Sequence, residues 1–320
     1  MFIRNAWYVA AWDHEIGRVN MLRRFLLDEP VVLYRQLDGK PVALEDRWCH
    51  RHAPLSKGKI EGDNVECPYH GLTYNAAGAC VRIPGQTAIP PNARVRSYPV
   101  VERNHWIWIW MGDPALADPN AIEDFHWIGD PTYRFRGERL MLEANYVLLV
   151  ENLLDLSHLS FIHPTTLGTD AIAETPMKHE RTDRMVRVTR WIMNNTPPPF
   201  FQRVAGFRPD QRVDRWQDIV YSPPAFVKLD VGAAIAGTGA EKGDRSQGFT
   251  MRNFNAITPE TENTTHYFWA QAHDFRIEES WITDLLFDNV HTAFLEDLDI
   301  IKAQHENIRT RPDAPRLDFN

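Results

Sequence analysis

ENLLDLSHLSFIHP, residues 151–164, is the segment around which the chain is best read. It sets Asp155, His158 and His163 among Leu153, Leu154, Leu156, Leu159, Phe161 and Ile162. On a helix, Asp155 and His158 are three apart and share a face. His163 lies a further five residues on, about 140° round an ideal helix. Both imidazoles therefore reach one ion only if the helix ends between them, and Pro164 favours that ending because the residue before a proline is pushed out of the helical region. Two histidines near a helix end, joined by a distant carboxylate, make the 2-His-1-carboxylate face that holds ferrous iron with positions open to oxygen. The plainer reading is core packing, so the choice rests on the rest of the sequence.

A third ligand is offered by the clearest helical pattern, from about Trp281 to Ile308. Apolar residues at 282, 286, 290, 294, 298 and 301 step by three or four and form one stripe. Asp297 falls on that stripe, while Glu296 and Asp299 point outward. A carboxylate facing a core needs a partner or a metal, and a buried ion pair is the competing explanation. Asn152, six residues before His158, faces the same site or caps and packs its helix.

The 320 residues suffice for two domains, with 43% hydrophobic residues and 24% charged. A net charge of -8 argues against nucleic acid or an anionic membrane as the main partner. No apolar run approaches the ~18 residues of a membrane span, and the start, MFIRNAWYVAAWDHE, has no signal-peptide pattern. Three cysteines (Cys49, Cys67 and Cys80) make a poor disulfide framework and suit a reducing cytoplasm.

Residues 1–115 read as a small all-β domain. VVLYR (31–35) and PVALE (41–45) flank Asp38-Gly39 as a hairpin, and GLTYN (71–75), CVRIP (80–84) and WIWIW (106–110) read as further strands. DPALADPNAIED (113–124) leads into a second domain, residues 116–320, which mixes strands with a few helices. RMVRVTRWIM (184–193) and THYFWAQAH (265–273) read as strands there; NNTPPPF (194–200) and GTGAEKGDRSQG (237–248) read as mobile loops. No dinucleotide fingerprint, phosphate loop or nucleophile elbow is present.

Cys49-His50-Arg51-His52 and Cys67-Pro-Tyr-His70 are separated by sixteen residues between His50 and Cys67. Two loops, each giving sulfur and imidazole, suit a [2Fe–2S] centre with two histidines on one iron; zinc is the competing occupant. Pro54 and Gly71 would shape the loops. With NAWYVAAW (5–12), HRHAPLSKG (50–58), CPYHGLTY (67–74), RIPGQ (82–86), WIWMGDPALADP (108–119), ENLLDLSH and FLEDLD (294–299) in this order, the chain resembles the oxygenase components of Rieske non-haem iron oxygenases, in the vanillate O-demethylase, dicamba monooxygenase and toluenesulfonate methyl-monooxygenase group. The resemblance runs over almost the whole chain.

It implies an α+β architecture, an all-β Rieske [2Fe–2S] domain followed by a helix-grip catalytic domain with an antiparallel sheet, assembled as a homotrimer. The implied activity is O2-dependent hydroxylation or O-demethylation of a methyl- or methoxy-bearing aromatic acid. Electrons come from NAD(P)H through a separate reductase or ferredoxin. His50, Cys67 and His70 would hold the cluster, and His158, His163 and Asp297 the mononuclear Fe(II). Asp155 would bridge His70 of one subunit to His158 of the next, and His266, Phe268 and Trp269 are candidates for the substrate pocket.

One position departs from the family. Aligning on His50-Arg51-His52-Ala53-Pro54-Leu55 puts Trp48 where the first cysteine ligand belongs. An indole nitrogen has no free lone pair to replace a thiolate. Cys49 slides into the role, or Cys49 and His52 shift register, or the cluster is lost; the last would make the chain an electron-transfer-deficient, non-catalytic relative.

Overall fold

The computed structural model describes residues 1–49, 51–164, 167–315 and 317. The chain divides into two compact units, residues 1–124 with 258–262, and residues 125–257 with 263–320.

The first unit is built from short strands: β1 (Ala6–Trp12), β2 (Leu22–Leu26), β3 (Glu29–Arg35), β4 (Pro41–Glu45), β5 (Lys59–Glu61), β6 (Asn64–Glu66), β7 (Thr73–Tyr74), β8 (Cys80–Arg82), β9 (Ser97–Tyr98), β10 (Val100–Arg103) and β11 (Trp106–Met111). They form three small sheets, ordered β1-β11-β10, β2-β3-β4-β9 and β5-β6-β7-β8. The hairpin expected at Asp38-Gly39 joins β3 to β4, with Gly39 at φ 90°, a conformation glycine adopts without strain. All six residues of WIWIWM on β11 are buried. Ile107, Ile109 and Met111 enter one core with Val31, Leu33 and Ala43. Trp106 and Trp108 point the other way and meet edge to face at 5.8 Å. A separate core beneath β5–β8 gathers Tyr34, Leu44, Trp48, Val65, Cys67 and Tyr74.

The second unit carries one seven-stranded sheet from β12 (Arg134–Leu142), β13 (Lys178–Arg181), β14 (Val186–Asn195), β15 (Val213–Ser222), β16 (Phe226–Ile235), β17 (Gly248–Thr261) and β18 (Thr264–His273). The order is β12-β18-β17-β16-β15-β14-β13, with antiparallel pairing. Its helices are α1 (Tyr146–Leu154), α2 (Leu159–Ile162), α3 (Asp170–Glu174), α4 (Pro199–Ala205) and α5 (Ser280–Thr310). The 31-residue α5 lies against β12 and β18, and α1 lies against β15 and β16. Leu149, Leu153, Phe287, Val290 and Phe294 close the core between helices and sheet.

Two local expectations change. NNTPPPF is not all loop, because α4 begins at Pro199, where a missing N–H and a fixed φ suit a first helical turn. The helix expected to end between His158 and His163 ends earlier: α1 stops at Leu154, a 3-10 turn covers Leu156–His158, and α2 runs between the two histidines. Among the described residues no helix is long and apolar enough to cross a membrane.

Candidate metal centre and cavity

The breaks in 151–164 aim the histidines. Asp155 (φ -112°, ψ 89°) ends α1, and its carboxylate accepts from the Ser157 N–H at 2.9 Å, capping the 3-10 turn. His158 closes that turn, and α2 stops just before His163 (φ -116°, ψ 45°), which precedes Pro164. The two imidazoles thus flank a single helical turn, centroids 5.3 Å apart and planes at 77°.

Each ring is held from behind. His158 Nδ1 donates to the Asp155 carbonyl oxygen at 2.6 Å, and His163 Nδ1 donates to Glu296 Oε2 at 2.6 Å. A carbonyl and a carboxylate only accept, so both protons sit on Nδ1 and both Nε2 atoms turn lone pairs inward. They face the same atom, Asp297 Oδ1, at 3.3 Å from His158 and 3.1 Å from His163. Asn152 Nδ2 donates to that oxygen at 3.1 Å. Asp297 is 3% exposed and His163 1%.

Three electron-rich atoms facing one another in a buried site require a positive centre among them. Without a metal, a proton fills the role. Burial alone would push the His163 imidazolium down, but Asp297 and Glu296 outweigh it and hold the pKa above its ordinary value. Burial would likewise raise the Asp297 carboxyl, and its contacts with the two facing imidazoles, which share the proton, hold it low instead. A metal fits the same geometry. Bonds of about 2.1 Å at right angles put neighbouring donors about 3.0 Å apart, and the three ligand atoms here lie within 4.8 Å of one another. The carboxylate–imidazole pairing of Glu296 with His163 is the usual support behind a metal-bound histidine. The donor set could hold one mononuclear ion and suits non-haem iron.

Among the described residues this is the one group of three that converges so. The sequence reading brought out His158, His163 and Asp297, and Asn152 does face them. It turned Glu296 outward, whereas its side chain reaches back to His163. Asp155 meets His158 Nδ1 through its main-chain carbonyl, while its carboxylate accepts from Ser157.

The triad forms part of the wall of a cavity between the helices and the sheet. Leu153, Leu156, Leu159, Val290 and Phe294 line the helix side. Polar groups line the sheet side: Arg215 and Gln217 on β15, Asn253 on β17 and Gln271 on β18. The pocket residues expected from β18 are elsewhere. His266 and Phe268 alternate to the face opposite Gln271. Trp269 shares that face but is covered by Phe287, stacked at 5.0 Å, and by the edge contact of Phe294 at 4.9 Å.

At the other candidate centre, Cys67 is buried and the turn to Gly71 closes with Gly71 N–H on the Cys67 carbonyl at 3.1 Å. Gly71 sits at φ 70°, where an added Cβ would meet Pro84 at 3.0 Å. His50 lies outside the described residues. Trp48 is fully buried and stacks on the His70 ring, centroids 5.4 Å apart at 27°. The exposed Cys49 directs Sγ to the Tyr74 hydroxyl at 3.2 Å. Burial and that contact push the Tyr74 pKa up. The donors therefore do not fit a Rieske cluster at the expected position, since an indole core residue stands where a thiolate is required.

Comparison with known proteins matches both halves of the chain. The Rieske [2Fe–2S] domain family matches residues 6–99, and the vanillate O-demethylase oxygenase C-terminal domain family matches residues 142–320. The toluene-4-sulfonate monooxygenase system iron-sulfur subunit of Comamonas testosteroni is 47% identical over 99% of this chain and 92% of its own length. The dicamba O-demethylase oxygenase component of Stenotrophomonas maltophilia is 40% identical over 87% of this chain and 80% of its own. The crystal structure of dicamba monooxygenase with non-haem iron and dicamba superposes with a TM-score of 0.84 at 35% identity, covering 99% of this chain and 92% of that one. With both of its halves matched and relatives aligned end to end, the chain belongs to the Rieske non-haem iron oxygenases, as an oxygenase component of the vanillate O-demethylase type, an oxidoreductase of multicomponent systems with separate electron-transfer partners.

Proposed function

We propose that this chain hydroxylates or O-demethylates a methyl- or methoxy-bearing aromatic acid, with His158, His163 and Asp297 as the ligands of a ferrous ion. The observation that carries the reading is the meeting of two Nε2 lone pairs and one carboxylate at the edge of a largely apolar cavity. Iron on such a face supplies redox chemistry toward dioxygen at its open positions.

The chain's own residues supply orientation. The Asp155 carbonyl and Glu296 fix the tautomers of His158 and His163, and Asn152 steadies Asp297. Leu153, Leu156, Val290 and Phe294 offer an aromatic ring an apolar seat that excludes water. The substrate class is supported by the relatives, whose names carry toluene-4-sulfonate, vanillate and dicamba.

In this reading residues 1–115 form the Rieske-type module, which accepts electrons only where a thiolate replaces Trp48 as cluster ligand, and residues 116–320 the oxygenating one. The partners are a separate NAD(P)H-dependent reductase or ferredoxin, and the assembly is a homotrimer of about three times 37.1 kDa. Three free cysteines accord with a reducing cytoplasm.

Hydrogen peroxide supplies oxygen already reduced by two electrons, so a test with it needs no electron partner. Iron-loaded protein given labelled peroxide and para-toluenesulfonate or a methoxybenzoate is expected to yield labelled alcohol, or phenol with formaldehyde, and to stop when Asp297→Ala removes the iron. Fully loaded protein that converts none of these aromatic acids would contradict the reading.

A further inference from the structure

Arginines set buried or half-buried on the sheet of the second unit are mostly neutralised or multiply bonded. Arg245 and Arg252 pair with Asp230, and Arg187 pairs with Asp218. Arg190 donates to the Thr175 carbonyl, Gln217 Oε1 and Ser157 Oγ. Arg215 is the exception. It is 4% exposed, and its hydrogen bond among the described residues is to Thr169 Oγ1 at 2.9 Å. The ring of Phe201 lies 4.9 Å from its guanidinium carbon, and among the described residues no carboxylate pairs with it. Burial lowers its pKa to about 10, which leaves it charged at neutral pH. An uncompensated buried charge is costly, so a fold that keeps one inside a cavity implies a charge-bearing ligand.

Its place indicates which ligand. Arg215 and Gln217 are two apart on β15 and share the face that lines the cavity. The histidines and Asp297 come from the helices on the other side. A molecule spanning the cavity meets a guanidinium on the sheet wall and the metal ligands on the helix wall, with apolar side chains between. The planar fork of an arginine matches an oxyanion by paired N–H donors.

We propose that Arg215 anchors the acid group of the substrate, a carboxylate or sulfonate on an aromatic ring, and so turns the opposite end of the ring toward His158, His163 and Asp297. This rests on the reading of the chain as an oxygenase of aromatic acids. It makes Arg215 a specificity-determining residue that acts in binding.

The test is calorimetric titration of anaerobic, iron-loaded protein with para-toluenesulfonate, para-toluate and the uncharged para-toluenesulfonamide. Wild type is expected to bind at least one anion about tenfold more tightly than the sulfonamide or better, and the stronger of the two arms names the acid group. Arg215→Met is expected to erase that preference while keeping sulfonamide affinity, and Arg215→Lys to retain part of it. Unchanged anion binding in folded Arg215→Met overturns the anchor and leaves the oxygenase reading intact. If Arg215→Met fails to fold, the wild-type preference and its reduction in Arg215→Lys decide alone, and wild type with no preference for either anion overturns the anchor. Wild type that holds iron yet binds none of the three compounds overturns the anchor together with the proposed substrate class.

Discussion

The two candidate metal ends of this chain differ in completeness. At the helix breaks of the second unit every donor has its supporting partner: His158 the Asp155 carbonyl, His163 the Glu296 carboxylate, Asp297 the Asn152 amide. At the tip of the first unit the loop closes and Gly71 takes its left-handed turn. There the side chain at position 48 is an indole packed against His70. The contrast separates two things a metal site needs. Backbone scaffolding survives a ligand substitution, because Trp48 adds apolar burial that stabilises the apo fold. Ligation needs a thiolate, which an indole does not supply.

The contrast breaks most visibly at Trp48. Trp48→Cys is expected to raise acid-labile sulfide from near none to about two per chain and iron from about one to about three, read by elemental analysis and visible absorbance. Without a cluster the same variant loses a buried ring and is expected to unfold about 3–5 kcal/mol more easily. About two sulfides per chain in both proteins would mean that Cys49 already serves as the ligand, and near none in both would mean that Trp48 is not what bars the cluster.

On the Trp48→Cys background, Asp155→Asn is expected to keep iron and sulfide while reductase-driven turnover falls by orders of magnitude. Its main-chain carbonyl still holds His158 in that variant, so only the carboxylate's role is probed. Full turnover would remove the bridging assignment.

A smaller effect sharpens the complete end. Glu296→Gln keeps an acceptor for His163 Nδ1 but weakens it, and is expected to lower iron affinity about 10–100-fold. Wild-type affinity in Glu296→Gln would make the contact incidental.

The mildest perturbation is pH. The raised His163 pKa stabilises the apoprotein fully below its unfolded value, 6.5, and that contribution is lost as pH climbs through the folded value. The lowered Asp297 pKa works oppositely, stabilising above 3.8 and fading as pH falls through its folded value. Iron displaces the His163 proton. The Tm gain on adding ferrous iron is therefore expected to grow from about pH 5.5 to about pH 8, and a gain independent of pH would count against the shared proton.

How much the sequence revealed follows the same division. Leucines and histidines in ENLLDLSHLSFIHP, and Asp297 on an apolar stripe, betray the candidate metal ligands because burial of polar side chains in apolar segments is unusual. Glu296 stayed hidden, since the step of one residue from Asp297 turns it about 100° round the helix and only a long side chain brings it back. Helical periodicity also hid the stop at Asp155, a capping event decided by one side chain on one N–H. The cavity's sheet wall was not legible. VDRWQDI on β15 is buried on both faces, Arg215 and Gln217 toward the cavity and Trp216 toward Trp191, so no polar–apolar alternation marks which side is the pocket. On β18 the visible aromatics drew attention to His266, Phe268 and Trp269, while the cavity takes Gln271.

The central claim is that two imidazoles and one carboxylate hold a single iron. Anaerobic ferrous titration of metal-free protein, beside His158→Ala, His163→Ala and Asp297→Ala, tests it most directly. The expected result is one tightly bound equivalent in the parent chain and none in any variant. Undiminished tight binding in one of the three would strike that residue from the ligand set and contradict the account.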